Sequence, residues 1–202
     1  MIINVPYLDQ SKEAPTGCES VSTVMLLNYL GYPVTIGEFL DKYLDHESFG
    51  KKGGELWGPD PRERFVGDPR DPEALGCYAP VIVNALQRVA GGEYEAVDET
   101  GAELDDLCGR YVDKGMPVLL WASINMRPTV NGPWYRLLST GEPFMWVSNE
   151  HCLLLVGYDD KSYIFNDPWE NNGVIGYPKR VVWERHREQG MQAVGMRKKT
   201  EK

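Results

Sequence analysis

The sequence lacks closely paired cysteines, paired histidines and long apolar runs. Its four cysteines form no CxxC motif and its three histidines form no HxxxH motif, so their spacings give no support to a zinc site. Four cysteines are also too few for a disulfide scaffold in 202 residues. No stretch approaches the about 18 apolar residues that a membrane span needs. We therefore expect no metal, no cofactor and no membrane span.

An excess of basic residues is missing as well. Aspartate and glutamate total 30 against 21 lysines and arginines, which gives a formal net charge of −9. An acidic chain binds a phosphate backbone poorly, so nucleic acid is not an expected partner. The N-terminus, MIINVPYLDQ, contains no basic region followed by an apolar run, so no signal peptide is visible. A cytoplasmic location is expected unless a leader has been removed.

The helical signals concentrate in the first half of the chain. The length and composition predict a single domain over residues 1–202. Three Ser/Thr-x-x-Glu capping boxes, Thr16–Glu19, Thr35–Glu38 and Thr100–Glu103, each precede an apolar run of helical spacing. A fourth helix is predicted near Pro80–Val89 from its apolar face.

The strand signals concentrate in the second half. Apolar runs at 117–124, 152–158 and 162–167 predict strands, the last two joined by a turn near residue 159. A helix near 179–189 and a strand near 191–196 follow. Helices before antiparallel strands predict an α+β fold, with a helical lobe at about 1–115 and a β lobe at about 116–197.

Two long segments show no clear periodicity. Residues 46–76 are rich in glycine, proline and charge, and residues 125–148 carry several aromatic side chains. Both are predicted to be irregular loops. Disorder is an open alternative for the first, whereas the second is expected to form an ordered rim, because its aromatic residues need burial or a ligand.

Cys18 is the first candidate for chemistry. If Thr16 is the N-cap, Cys18 is the second residue of a helix, where the helix dipole lowers the pKa of a thiol. Such a thiol can act as a nucleophile, although on this feature alone a cysteine on an apolar helix is more often a packed core residue. The adjacent Glu19 opposes a thiolate unless its carboxylate folds back onto the helix terminus as the partner of Thr16.

His151 and Asp167 are the second candidates. Each lies eight residues from the predicted turn at residue 159, so they are expected to face each other across an antiparallel pair. A carboxylate in that position orients the imidazole and supports its charged form. A register error of one residue would make Asn166 the orienting residue instead.

Gln10 is a weaker candidate. It ends an extended segment eight residues before Cys18, and its amide could donate to an oxyanion beside the nucleophile. The alternative is an ordinary surface glutamine.

Several segments of the chain resemble a known family. The runs NVPYLDQ, PTGCESVSTVMLLNYLGYPVT, EHCLLLVGYDD and YIFNDPW resemble the C39-like cysteine peptidases of bacteria, in the papain-like clan, over roughly residues 3–196. The resemblance implies a papain-like fold and a peptide or protein substrate. It also implies Cys18 as nucleophile, His151 as general acid and base, Asp167 as orienting residue and Gln10 as oxyanion donor.

The resemblance extends to an aromatic residue and leaves the reaction open. Trp169 is similar to the tryptophan that shields the histidine in papain-like enzymes, and Trp146 and Trp134 are further candidates for substrate binding. Double-glycine specificity does not carry over, because Glu19 stands where exporter domains usually have glycine. A peptidase or amidase is the first hypothesis, and an acyltransferase or an inactive peptide-binding module are the alternatives. The two other histidines, His46 and His186, are expected to be solvated.

Overall fold

The computed structural model describes residues 2–200, which form five α-helices, two short 3₁₀-helices and twelve strands. The helices are α1 (Cys18–Tyr29), α2 (Ile36–Lys42), α3 (Ala79–Ala90), α4 (Leu104–Arg110) and α5 (Lys179–Glu188). The strands are β1 (His46–Glu47), β2 (Gly50–Lys52), β3 (Glu55–Gly58), β4 (Phe65–Val66), β5 (Tyr94–Asp98), β6 (Val118–Ser123), β7 (Val130–Leu137), β8 (Pro143–Ser148), β9 (Glu150–Tyr158), β10 (Ser162–Asp167), β11 (Gly173–Pro178) and β12 (Ala193–Lys198).

The largest sheet has six strands in the order β11-β10-β9-β6-β12-β5, and every neighbouring pair is antiparallel. A second sheet has the order β2-β3-β7-β8, in which β3 and β7 are parallel. The short strands β1 and β4 form a separate parallel pair. Helices beside a mostly antiparallel sheet confirm the predicted α+β class.

Helix α1 lies in the centre of the molecule, against β9. All ten residues from Cys18 to Leu27 are buried, including four polar side chains. A helix that is apolar around most of its circumference belongs in a core, because any exposed face would waste apolar surface. Ser22 ties the helix to the sheet by donating to the carbonyl oxygen of Cys152 at 3.0 Å. The first turn of α1 is thereby placed beside the start of β9.

The prediction of two irregular loops was wrong. Residues 125–148 form the antiparallel pair β7–β8 instead of a loop, and the short strands β1–β4 occupy part of residues 46–76. Glycine and charge hid the strands β2 and β3, because these are surface strands with few buried side chains. Likewise β5, inside the predicted helical lobe, joins the six-stranded sheet beside β12.

The capping predictions have mixed outcomes. Thr35 caps α2 as predicted, since its hydroxyl accepts the N–H of Glu38 at 3.1 Å. The predicted cap at Thr100 was wrong, because α4 begins after Glu103 and has no side-chain cap. The fourth predicted helix is confirmed as α3.

One histidine departs from expectation. His46 is exposed as predicted, whereas His186 of α5 is buried and its Nδ1–H donates to the carbonyl oxygen of Trp121 at 2.8 Å. The charged residues around His186 suggested a solvated face, but α5 packs that one side chain against β6.

The five α-helices within residues 2–200 are short. None of the helices there has both the length and the apolar character needed to cross a bilayer.

Candidate active site

A cleft of about 370 Å³ opens where the start of α1 meets the start of β9. It brings together residues that are far apart in the sequence, from the N-terminal segment, α1, β8, β9 and the loop after β10. Its lining includes Gln10, Cys18, Trp146, Glu150, His151 and Trp169.

Cys18 is the first residue of α1, and Gly17 is its N-cap. The predicted cap at Thr16 was wrong, because the Thr16 hydroxyl donates to the carbonyl oxygens of Pro69 and Asp71, at 3.2 and 2.9 Å. The chain needs glycine at position 17, since a Cβ there would lie 2.9 Å from the Cβ atoms of Ala14 and Pro69. Close approach of the loop therefore determines where the helix begins.

The Cys18 thiol is buried and makes two hydrogen bonds. It donates to Oε2 of Glu19 at 3.3 Å, and its sulfur accepts the N–H of Cys152 at 3.3 Å. Burial raises the pKa of the Cys18 thiol well above its ordinary value, and the nearby charges of Glu150 and Glu19 raise it further. The expectation that the helix terminus lowers this pKa is therefore not met in this arrangement.

His151 and Asp167 form a buried pair. Nε2 of His151 lies 2.6 Å from Oδ1 of Asp167, and neither side chain is exposed. Because a carboxylate accepts, Nε2 carries the proton, and in the neutral imidazole Nδ1 keeps a lone pair. Nδ1 has no hydrogen-bond partner within residues 2–200. The imidazole is thus oriented at one nitrogen and free to take a proton at the other.

The predicted register of this pair was wrong by two residues. Asn166 pairs with Leu154, so His151 and Asp167 are diagonal to each other and not directly opposite. They still share one face of the sheet, which is why their side chains meet. Asn166 is not the orienting residue, because its amide donates to the carbonyl oxygen of Val5 at 3.0 Å.

Three further donors hold the Asp167 carboxylate. Its Oδ1 accepts the Trp169 N–H at 3.1 Å, and its Oδ2 accepts from Asn172 at 3.0 Å and from the Tyr177 hydroxyl at 2.8 Å. Burial acts to raise the pKa of Asp167, but the hydrogen bonds and the interaction with His151 outweigh it and lower this pKa below its ordinary value. The carboxylate is therefore kept ionised opposite the imidazole. Tyr177 and Asn172 were missed, because nothing local in the sequence directs them to position 167.

Gln10 is buried at the edge of the cleft. Its amide nitrogen donates to the carbonyl oxygen of Pro15 at 2.7 Å, and its backbone N–H donates to Pro168. These contacts hold the side chain beside the start of α1, and an amide nitrogen has a second hydrogen to donate. The alternative of a surface glutamine does not hold.

The three candidate tryptophans occupy different places. Trp169 meets the His151 ring edge-to-face, with centroids 6.0 Å apart. Trp146 lines the cleft and stacks on Tyr78 at 5.4 Å. Trp134 is 63% exposed and lines a separate groove on the β2-β3-β7-β8 sheet, so the structure does not bring it to the cleft.

Two buried carboxyl groups lie under the cleft. Of the two alternatives for Glu19, the structure shows the one without a fold-back onto Thr16, since its Oε1 accepts the N–H of Cys77 at 2.5 Å. Glu150 was missed altogether, although a charged residue at the start of an apolar strand was an available signal. Burial raises the pKa of Glu19 to about 7, and burial with the charge of Glu19 raises the pKa of Glu150 well above its ordinary value.

These carboxyl groups and the Cys18 thiol form a cluster of potential metal ligands. The potential ligand atoms of Cys18, Glu19 and Glu150 lie within 4.8 Å of one another, the one such group found in residues 2–200. We assign no metal to it, because both oxygens of Glu19 already accept hydrogen bonds and no histidine joins the group.

Comparisons with known proteins identify the family. The model of the Peptidase_C39 like family matches residues 2–194. The uncharacterized protein YvpB of Bacillus subtilis is 31% identical over 157 residues, which are 76% of this chain and 58% of YvpB. The chain thus spans a little over half of that relative's length.

Two solved structures share the fold. A Bacillus anthracis protein provisionally assigned as a C39-like peptidase has a TM-score of 0.84 at 24% identity, covering 99% of this chain and 98% of that one. A double glycine motif protease from an AMS/PCAT transporter, in complex with its leader peptide, has a TM-score of 0.56 at 16% identity, covering 98% and 94%. The fold is that of the C39-like peptidases, and the chain belongs to the Peptidase_C39 like family.

Proposed function

We propose that the protein is a cysteine peptidase or amidase with Cys18 as its nucleophile. One observation carries the proposal: the buried His151–Asp167 pair leaves Nδ1 unpartnered in the same cleft as the Cys18 thiol. A base that is oriented by a carboxylate and lines the same cleft as a thiol is the arrangement that nucleophilic catalysis requires.

The reaction follows from these positions. A rotation about the Cα–Cβ bond turns the Cys18 thiol from Glu19 towards His151, and its proton passes to Nδ1. The thiolate attacks the carbonyl carbon, while the Gln10 amide and the Cys18 backbone N–H donate to the oxyanion. The C–N bond then breaks, and the leaving amine takes the proton from His151. Water, deprotonated by the same nitrogen, hydrolyses the thioester.

A peptide is the substrate class that we propose. The structurally similar double glycine motif protease is in complex with its leader peptide. The cleft of this chain is lined by apolar side chains such as Trp146 and Trp169, with no lysine or arginine among them. An uncharged, partly apolar peptide segment fits that lining.

The resting thiol favours a second candidate, a peptide-binding module without turnover. The Cys18 proton is directed at Glu19, and the pKa of the thiol is raised by burial. If the thiol cannot turn to His151, the cleft can bind a peptide but cannot attack it.

The experiment uses a proteome-derived peptide library, with new termini identified by mass spectrometry. We expect cleavage by the wild type and none by Cys18→Ala, whereas Cys108→Ala, which replaces a buried cysteine of α4 remote from this chemistry, retains cleavage. Equal cleavage by Cys18→Ala would overturn the mechanism. Peptide binding without cleavage would support the binding module. Transfer products that grow with added amine would identify an acyltransferase.

A further inference from the structure

Glu19 and Glu150 bring their carboxyl groups together under the cleft. Glu19 is the second residue of α1 and Glu150 is the first of β9, so two different elements deliver them. Gly76 lies against both: a Cβ there would be 2.6 Å from Oε1 of Glu19 and 2.9 Å from Oε2 of Glu150. The backbone at Gly76 therefore packs closely against carboxyl oxygens of both Glu19 and Glu150, and this packing holds the two side chains in place.

No cation neutralises this pair within residues 2–200. Neither Glu19 nor Glu150 takes part in any of the ion pairs there. By contrast Glu99, the other buried glutamate, is paired with Arg110 and Arg197. Carboxylate oxygens of Glu19 and Glu150 lie within 4.8 Å of each other. Two buried carboxylates this close repel each other and lose hydration, so one of them is expected to keep a proton at neutral pH.

The other titratable groups around the pair carry no fixed positive charge. They are three thiols, one phenol and the imidazole of the candidate base: Cys18, Cys77, Cys152, Tyr78 and His151. Only the imidazole can become positive, and it does so when it takes the proton of the thiol.

The pair is connected to the nucleophile by a hydrogen bond. Cys77 N–H holds Oε1 of Glu19, which leaves Oε2 to accept the Cys18 thiol. Oε1 of Glu150 is buried and has no partner in residues 2–200. The thiol proton is therefore directed towards the carboxyl pair and away from His151.

We propose that Glu19 and Glu150 share one proton and act as a positioning pair, which holds Cys18 as a neutral thiol and determines the pH range in which it ionises. The proposal rests on the cysteine-peptidase function proposed above. When the pair takes up a second proton, Glu19 no longer attracts the thiol hydrogen. The S–H bond then breaks towards His151: the electron pair stays on sulfur and the proton goes to Nδ1. The Cys18 thiolate is therefore favoured at the lower pH values at which both Glu19 and Glu150 are protonated.

The first test is the pH dependence of Cys18 alkylation by iodoacetamide, with the modified cysteine identified by peptide mapping. The pH at which the alkylation rate reaches half its maximum is the alkylation midpoint of Cys18. Glu19→Gln removes the charge next to the thiol, so we expect this midpoint to fall by about one pH unit or more. Glu142→Gln removes an exposed charge in the turn before β8 and is expected to leave the midpoint unchanged. An unchanged midpoint in Glu19→Gln would overturn the proposal.

The second test needs no substitution in its first arm. With glutamate labelled at the carboxyl carbon, NMR of the wild type in EDTA is expected to show two glutamates that titrate at a higher pH than the exposed ones, because burial raises the pKa of both Glu19 and Glu150. Glu150→Gln removes the repelling partner, so the remaining Glu19 titrates at lower pH. Ordinary titration of both in the wild type would overturn the shared proton. The shared proton would also be overturned if the titration curves changed when EDTA is replaced by zinc at equimolar concentration. A bound cation would then occupy the place of the proton.

Neither test requires turnover. A shifted alkylation midpoint in a protein that cleaves no peptide would refute the proposed function and leave the pair intact. Peptide cleavage with an unshifted midpoint would refute the pair alone.

Discussion

His151 and Asp167 meet across the β9–β10 ladder because one extra residue in β9 places them on the same face of the sheet. In this ladder Ile164 of β10 pairs with Gly157 of β9. The next residue of β10, Phe165, pairs with Leu155, so one residue of β9 between them has no partner in β10. Such a bulge leaves two residues of one strand opposite one residue of the other.

The bulge decides whether the candidate base has its orienting partner. Side chains alternate between the two faces of a strand, so a shift of one residue reverses every orientation beyond it. Without the extra residue, Asp167 would share a face with Leu154 and His151 would point to the opposite one. With it, Nε2 and Oδ1 are 2.6 Å apart.

Asp167→Asn is expected to reduce kcat/KM by about 100-fold or more, since oriented acid–base catalysis contributes at least that factor. The asparagine keeps the size of the side chain but loses the charge that stabilises the imidazolium. Turnover of a cleaved library peptide measures the effect. Asp113→Asn, at an exposed aspartate that accepts from the Tyr158 hydroxyl, is the matched control and is expected to keep full activity. Equal activities of the two variants would contradict the role of Asp167.

The local parts of this site could be predicted from the sequence, and the parts that depend on packing could not. A cysteine at a helix start, with a histidine and an aspartate on two strands joined by a turn, follows from residue types and spacing. The bulge does not, because its position depends on what β9 packs against. Glu150 was missed for a related reason: only the approach of α1 and Gly76 gives its carboxyl group a neighbour.

The tryptophans illustrate the same limit. The sequence placed Trp134 and Trp146 in one aromatic segment, and the alternation of side chains along β7 and β8 could not say which would reach the cleft. Trp146 is buried at the cleft, whereas Trp134 lies on an exposed surface. Fold class was easier, because it depends on the order of long apolar segments and tolerates errors at their ends.

The free energy of unfolding is expected to fall as the pH rises from about 4.5 to about 7. Burial raises the pKa of Glu19 from 4.5 to about 7, so between these values the folded protein binds more protons than the unfolded chain. Stability then decreases with pH over that window. Urea denaturation at several pH values measures the slope, which Glu19→Gln is expected to flatten and Glu142→Gln to preserve. A slope that Glu19→Gln leaves unaltered would mean that Glu19 titrates normally.

His186 is expected to act at the opposite end of the pH range. Burial lowers the pKa of His186 from 6.5 to about 4, so the folded protein resists its protonation. The stability that this group contributes is present above pH 6.5 and is lost as the pH falls through about 4, up to about 3 kcal/mol. His186→Gln removes that part of the acid dependence and retains a donor for Trp121. The exposed His46→Gln is the control and should leave the acid limb as it is.

Gly76→Ala is expected both to destabilise the protein and to disturb the Cys18 thiol. Gly76 has a φ of +149°, which side-chain-bearing residues rarely adopt, and its new Cβ would contact both carboxyl oxygens of Glu19 and Glu150. Gly31→Ala is the matched control, because Gly31 has a φ of +91° but open space around it.

The comparison separates backbone strain from contact with the carboxyl pair. Strain alone costs about 1–3 kcal/mol in either variant, and Gly76→Ala is expected to lose more because the carboxyl groups must also move. Once they move, the hydrogen bond between Cys18 and Glu19 weakens, so the alkylation midpoint of Cys18 shifts in Gly76→Ala and stays in place in Gly31→Ala. Urea denaturation and iodoacetamide alkylation measure the two effects on the same samples. If both variants lose the same stability and keep the wild-type midpoint, glycine is needed at position 76 for its backbone angle alone, and the packing of the pair does not control the thiol.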